Sequence, residues 1–178
     1  MAILTILEYP DRRLHKVARS VTAFDDRLHK LLADMTETMY AANGVGLAAT
    51  QVDIHERVVL LDLSETRTDL RVFINPTLIW ISPETAEDEE GCLSVPGVFD
   101  KVTRPAKVRV RAQDARGNEF EIECEDRLAV AIQHEIDHLD GKVFVEKLSL
   151  LKQARARAKL RKRQMERQRG TRREPASL

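Results

Sequence analysis

Only two cysteines, Cys92 and Cys124, occur in the 178 residues, too few for a disulfide-built scaffold. A chain of this length buries enough apolar surface to fold without such staples. Long apolar runs are missing as well. The longest stretch free of charge, residues 38–52, is fifteen residues long and includes Asn43, Thr50 and Gln51, too short and too polar to cross the ~30 Å core of a bilayer. No membrane partner is expected. Residues 2–7 form an apolar run with no basic residue before it and Glu8 straight after, so the parts of a secretory signal are lacking. The expectation is a cytoplasmic protein whose cysteines stay reduced and need separate explanations. Internal repeats are absent, and hydrophobic (43%) and charged (33%) fractions are ordinary enough to exclude wholesale disorder, collagen and coiled-coil arrays. Net charge is zero, but residues 1–146 carry 17 basic against 27 acidic side chains and residues 147–178 carry 12 against 2.

That asymmetry sets one boundary, between a body of residues 1–148 and a basic C-terminal helix with its tail, residues 149–178. Within the body, Leu28, Leu31, Leu32, Met35 and Met39 recur at helical spacing behind Asp25, a suitable cap, and predict a helix over 26–42 that Asn43-Gly44 ends. Strand-like runs follow at 57–63, 71–81, 106–112 and 119–123, the last two joined by a turn-rich segment at 114–118. A second helix is predicted over 127–140, with Asp126 as cap and Gly141 as stop. A third begins after Ser149 and runs to about Gln168, carrying a thin apolar stripe of Leu150, Leu151, Ala154, Ala158 and Leu160, with residues 170–178 expected to be disordered. Strands clustered between helices, rather than alternating with them, indicate an α+β fold with mostly antiparallel sheets around a central helix.

The chemistry concentrates in His134-Glu135-Ile136-Asp137-His138. At about 100° per residue the two histidines lie about 40° apart and one turn from each other, so both imidazoles can reach one metal ion, while Glu135 points elsewhere and suits a group that handles the ion's water. The plainer alternative is an amphipathic helix with two surface histidines. A catalytic site of this kind needs a third protein ligand, commonly His, Glu, Asp or Cys, and one open position. Cys92, behind Gly91, can complete the set; Cys124 sits in a strand pattern and reads as a small packed hydrophobe. Spacing alone points to zinc. Residues 44–51, Gly-Val-Gly-Leu-Ala-Ala-Thr-Gln, are nearly all small, as backbone lying against a ligand requires, and Gln51 offers a donor for a developing oxyanion; taken alone, the stretch is better explained by a tight turn between helix and strand.

Taken together, residues 44–51, Glu90-Gly91-Cys92-Leu93-Ser94 and Gln133-His134-Glu135-Ile136-Asp137-His138-Leu139 resemble the three signature motifs of peptide deformylases, and the resemblance extends over roughly residues 3–165. It implies a catalytic domain over 1–148 that removes the formyl group from N-formylmethionyl nascent peptides. It implies one metal ion per chain on Cys92, His134 and His138, natively Fe2+, with Zn2+, Ni2+ or Co2+ able to substitute. Glu135 then carries a proton from the attacking water to the departing amine, and the Leu93 N–H and the Gln51 amide steady the oxyanion. Val130 and Ala131, one turn before His134, are placed to line a methionine pocket, which the resemblance extends to Val45, with the Gly46 backbone serving the peptide. Where relatives of this kind usually read Gly-Leu-Leu-Ala, the chain reads Asp126-Arg127-Leu128-Ala129. Arg127 lies seven residues before His134, about 20° from its direction and ~10.5 Å up the helix, so it is expected at the pocket rim, against the blander reading of a solvated arginine.

The basic C-terminal helix is suited to phosphate polymers, and the resemblance supplies a target, ribosomal RNA near the exit of the nascent-chain tunnel. Packing on the acidic body is the competing role. A cut after about Leu148 is expected to weaken ribosome binding and spare activity on short peptides. Two other functions fit parts of the pattern: a zinc peptidase, and a metal-stapled RNA-binding protein with a closed four-ligand site. Asp137 is expected to steady an imidazole or pair with Arg104; His15, His29 and His55 lack ligand spacing; the acidic cluster at 84–90 reads as a solvated loop.

Overall fold

The structure, a computed structural model, describes residues 2–171. Asp25 accepts a hydrogen bond from the Leu28 amide at 3.1 Å and starts α1 (Asp26–Ala41), whose Leu28, Leu31, Leu32, Met35 and Met39 are all buried. The helix stops as read from the sequence: Asn43 takes a left-handed φ of 55°, and the amides of Asn43 and Gly44 turn back onto the carbonyls of Tyr40 and Met39. Seven strands follow: β1 (Gly46–Ala48), β2 (Val58–Leu61), β3 (Arg71–Ile81), β4 (Thr85–Cys92), β5 (Val95–Pro105), β6 (Lys107–Gln113) and β7 (Glu119–Glu125). Then come α2 (Asp126–Leu139) and α3 (Leu150–Thr171). Every strand pair is antiparallel, in a five-stranded sheet ordered β1-β2-β3-β6-β7 and a β4-β5 hairpin. This is the α+β class expected.

Alternation along β2 explains the layering. Val58 and Leu60 join Leu47 and Ile74 against α1, while Val59 and Leu61 join Phe73, Val108 and Val110 against Ile132, Ile136 and Leu139 of α2. Because successive side chains leave opposite faces of a strand, four consecutive apolar residues bury only if both faces are covered. The sheet is therefore sandwiched between two helices, and α2 lies on it as a central helix. On β6 the other half of the alternation, Lys107, Arg109 and Arg111, stands opposite Glu125, Glu123 and Glu121 of β7 at the surface, an arrangement that fixes register more than it stabilises.

Three expectations are corrected. The acidic run at 84–90 is not a solvated loop: it forms most of β4, in register with β5, and Glu90 is 4% exposed. A two-stranded ribbon leaves most side chains in water, so β4 lacks the apolar alternation that reveals a strand. Asp126 does not cap α2; Glu125 holds that place without a side-chain cap bond, and Asp126 is the first helical residue, at φ 51°, a region Asp tolerates better than most non-glycine residues. Finally, α3 buries only Leu160 of the stripe read from the sequence, and Ala154 and Ala158 are exposed. Leu150 and Leu151 are exposed, whereas Ala156 and Leu160 enter a core with Leu7, Tyr9, Val95, Val102 and Phe144. Polar contacts decide that rotation: Lys152 Nζ reaches Asp100 at 2.7 Å, Lys159 Nζ donates to the Gly97 carbonyl, and Arg167 pairs with Glu8 at 2.9 Å. The helix continues through Thr171, past the expected end at Gln168, and the rest of the tail expected to be disordered, residues 172–178, lies outside the described residues.

Candidate metal centre

α2 carries His134 and His138 on one face, and the β4-β5 turn brings Cys92 to them. One donor atom from each lies within 4.8 Å of the others, the single such group of three among the described residues. Cys92 Sγ is 3.2 Å from His138 Nε2, and the imidazole rings meet edge to face with centroids 5.0 Å apart. His134 donates its Nδ1–H to Glu90 Oε2 at 2.8 Å, which leaves Nε2 for the centre, and a carboxylate behind a metal-ligating histidine is the usual support. Glu90 is itself gripped in two places by Arg104, Nε to Oε1 at 2.5 Å and Nη2 to Oε2 at 2.9 Å, while Arg104 Nη1 reaches Asp137 Oδ2 at 2.8 Å. The expected Arg104–Asp137 pair is thus present; the part played by Glu90 was hidden by its place at the end of an acidic run.

Burial alone would raise the Glu90 pKa, but hydrogen bonds from Arg104 and His134 outweigh it and lower the value to about 2. Burial also opposes a charged His134, yet Cys92 and Glu90 prevail and raise it well above the ordinary histidine range; His138, buried beside His134, is held well below that range. Glu135 is buried against β1, and burial raises it to about 7 although His134 pulls the other way. Its Oε2 and His138 Nδ1 are buried with no hydrogen-bond partner among the described residues. A side chain on Gly46 would strike Glu135 Oε1, so glycine there is a requirement of the site.

Gln51 accepts the Ala48 amide at 2.9 Å through Oε1, which fixes the amide so that Nε2 points to Ser94 Oγ at 3.1 Å and Cys92 Sγ at 3.5 Å. The Leu93 N–H donates to no described group. A cavity of about 140 Å3 beside the centre is lined by Val45, Gly46, Arg127, Val130 and Ala131, the predicted pocket residues, with Leu63 added. Arg127 is exposed and lines the cavity, so both the rim placement and the solvated reading describe it. An adjoining cleft of about 590 Å3 is lined by Gln51, Cys92, Leu93, His134 and Glu135 and, unforeseen from the sequence, by Phe99 and by Arg163 of α3. Cys124 lies apart in the core, where burial raises its thiol to about 11, as expected of a packed hydrophobe. His15, His29 and His55 take no part.

One soft sulfur and two imidazole nitrogens suit zinc, iron, cobalt or nickel, and three such donors without a fourth among the described residues match a catalytic rather than a structural site. Residues 3–154 match the family model described as polypeptide deformylase. Among curated proteins, peptide deformylase 1 of Ralstonia nicotianae is 62% identical over 169 residues, 95% of this chain and 100% of that one. Peptide deformylase 1 of Burkholderia multivorans is 62% identical over 162 residues, 91% of this chain and 90% of that one. Among solved structures, a peptide deformylase from Legionella pneumophila superposes with a TM-score of 0.89 at 46% identity, covering 98% of this chain and 100% of that one.

Proposed function

The chain belongs to the polypeptide deformylase family, and we propose that Cys92, His134 and His138 hold the metal on which that family's hydrolysis depends, while Glu135 moves the proton. The protein is a metal-dependent hydrolase that removes the N-formyl group from nascent peptides. What supports the residue assignment above all is the convergence of one sulfur and two imidazoles next to a buried carboxyl group whose Oε2 has no partner. When bound, the ion supplies a Lewis acid that acidifies water and polarises a carbonyl.

The remaining work falls to side chains. Glu135 takes the proton of the attacking water on Oε2, and later returns it to the departing amine, so one carboxyl group serves both halves of the reaction. The Leu93 N–H and the Gln51 amide donate to the formyl oxygen as it gains charge; a donor of this kind is typically worth about 3 kcal/mol. Glu90, held by Arg104, keeps His134 in the tautomer that presents Nε2. Val45, Val130 and Ala131 form the apolar slot for methionine, Arg127 narrows its mouth, and the Gly46 backbone pairs with the extended peptide. Incubation of the metal-loaded protein with formyl-Met-Ala-Ser tests the reading: formate release without chain cleavage is expected, and cleavage of the unformylated peptide instead would make it a peptidase.

The ion is assigned as ferrous iron, with zinc, nickel or cobalt able to replace it. Protein purified without oxygen should contain iron and lose activity in air, and the nickel form should keep it. The working place is the cytoplasm, in keeping with two free thiols. The basic outer face of α3 is assigned to ribosomal RNA near the tunnel exit, with pelleting on ribosomes that weakens steeply as salt rises.

A further inference from the structure

The C-terminal helix is also part of the substrate site. On α3, Lys152, Ala156, Lys159 and Arg163 follow one another at spacings of four, three and four, a single helical face. The first three are fixed to the body: Lys152 on Asp100, Ala156 in the core, Lys159 on the Gly97 carbonyl. Arg163, the next along that face, lines the 590 Å3 cleft together with Pro96 and Gly97. It forms no hydrogen bond or ion pair among the described residues, and the carboxylates near its part of the helix are engaged, Asp100 by Lys152, Glu8 by Arg167 and Glu166 by Lys162.

The two lips of the cleft differ in charge. On the opposite lip Arg127 of α2 shares both cavities with Glu89 of β4, and Asp88 of β4 lines the inner one, so that lip is close to neutral or acidic. On the α3 lip no carboxylate lines the cleft to offset Arg163. Nothing precedes the formyl group of a substrate, so all of the peptide beyond its methionine must leave through this mouth. In an extended peptide successive side chains point to opposite sides. The residues after formylmethionine would thus turn alternately to opposite sides of the cleft, within reach of Glu89 on one lip and Arg163 on the other.

Building on the deformylase reading, we propose that Arg163 is a specificity residue supplied by the C-terminal helix, which favours an acidic side chain at one of the two positions following formylmethionine. Two amidated peptide sets, formyl-Met-X-Ala-NH2 and formyl-Met-Ala-X-NH2 with X as Glu, Gln or Lys, test this through kcat/KM at low and high salt, the amide removing the terminal carboxylate. At one position the full-length wild-type enzyme should prefer Glu over Lys by about three- to tenfold at low salt, in KM rather than kcat, with the ratio shrinking at high salt, as for a solvent-exposed ion pair. Arg163→Ala should bring the ratio near one and Arg163→Glu should invert it. Arg161→Glu, the same charge change about 160° around the helix, should keep the wild-type ratio. An equal ratio in wild type and Arg163→Ala, or an equal shift in Arg161→Glu, would overturn the assignment. Absence of formate from every peptide would instead sink the deformylase reading itself.

Discussion

Replacing Arg104 by methionine removes the guanidinium that grips Glu90 while leaving a side chain of similar length. Arg104 and Glu90 side chains are only 6% and 3% exposed, so the variant leaves the Glu90 carboxyl group buried with His134 as its remaining donor and without the guanidinium that offsets its burial. Stranding one member of a buried pair typically costs about 3–5 kcal/mol. For a domain of this size each kcal/mol lowers the melting temperature by about 2–4 °C, so a fall of about 6–20 °C is expected. A second effect should appear at the centre: with Glu90 free to turn, His134 loses its orientation, and loss of such support weakens metal binding by about 10–100-fold. Thermal melts of metal-loaded and metal-free protein, combined with chelator competition, measure both. Arg104→Lys should rescue little, because an ammonium cannot grip both carboxylate oxygens and Asp137 at once. Adding Glu90→Gln to Arg104→Met should recover part of the stability, since no charge is then stranded. A single Arg104→Met variant that melts within about 2 °C of wild type in both metal states would refute the reasoning.

Other consequences concern the centre and the helix. Glu135→Gln should keep its metal, because Cys92, His134 and His138 are untouched, and should lose formate release by at least about a hundredfold; metal loss measured by elemental analysis would make Glu135 a ligand. Gly46→Ala places a methyl group against Glu135 Oε1 and against Leu61 Cδ2 in the core, and should cut kcat more than tenfold while also lowering the melting temperature by a few degrees. Leu160, 1% exposed, sits in the core shared with Tyr9 and Val95, so Leu160→Ala should destabilise by about 2–5 kcal/mol in denaturant titration. Removal of everything after Leu148 takes Ala156 and Leu160 together, and short-peptide activity should fall along with ribosome binding rather than be spared.

The parts of this architecture that could be read from residues alone are those whose periodicity comes from burial on one side. α1 announces itself through Leu28, Leu31, Leu32, Met35 and Met39, and the histidine pair of α2 through the i, i+4 spacing of His134 and His138. β6 shows itself by Val108 and Val110 between Arg109 and Arg111. β4 could not be seen that way: its one buried side chain, Glu90, is charged, and its reason for burial lies fourteen residues away in Arg104. Arg163 was equally out of reach, because its direction depends on how α3 is rotated, and that rotation is fixed by one alanine, one leucine and the reach of Lys152 and Lys159 to the β5 hairpin. Local pattern finds the paired histidines and a cysteine of the right chemistry to join them; it does not find Glu90 or Arg163, whose places depend on how strand and helix pack.

The same rotation divides the labour of the basic helix. With Ala156, Leu160 and Arg163 turned to the body, Arg161, Lys162 and Arg169 point at least about 100° away from Arg163 and remain exposed. A polyanion can occupy that outer surface without covering the cleft, because the inner face is already filled by the core and by the contacts to Gly97 and Asp100. On the proposed reading, a peptide in the cleft meets α3 only at Arg163, where the helix borders it, and leaves the outer face open to the polyanion. Charge reversal at Arg161 or Lys162 should therefore weaken ribosome pelleting and leave the Glu-to-Lys preference of free peptides intact, whereas reversal at Arg163 should alter the preference; a shared response to all three would mean that the helix acts through its overall charge and not through its faces.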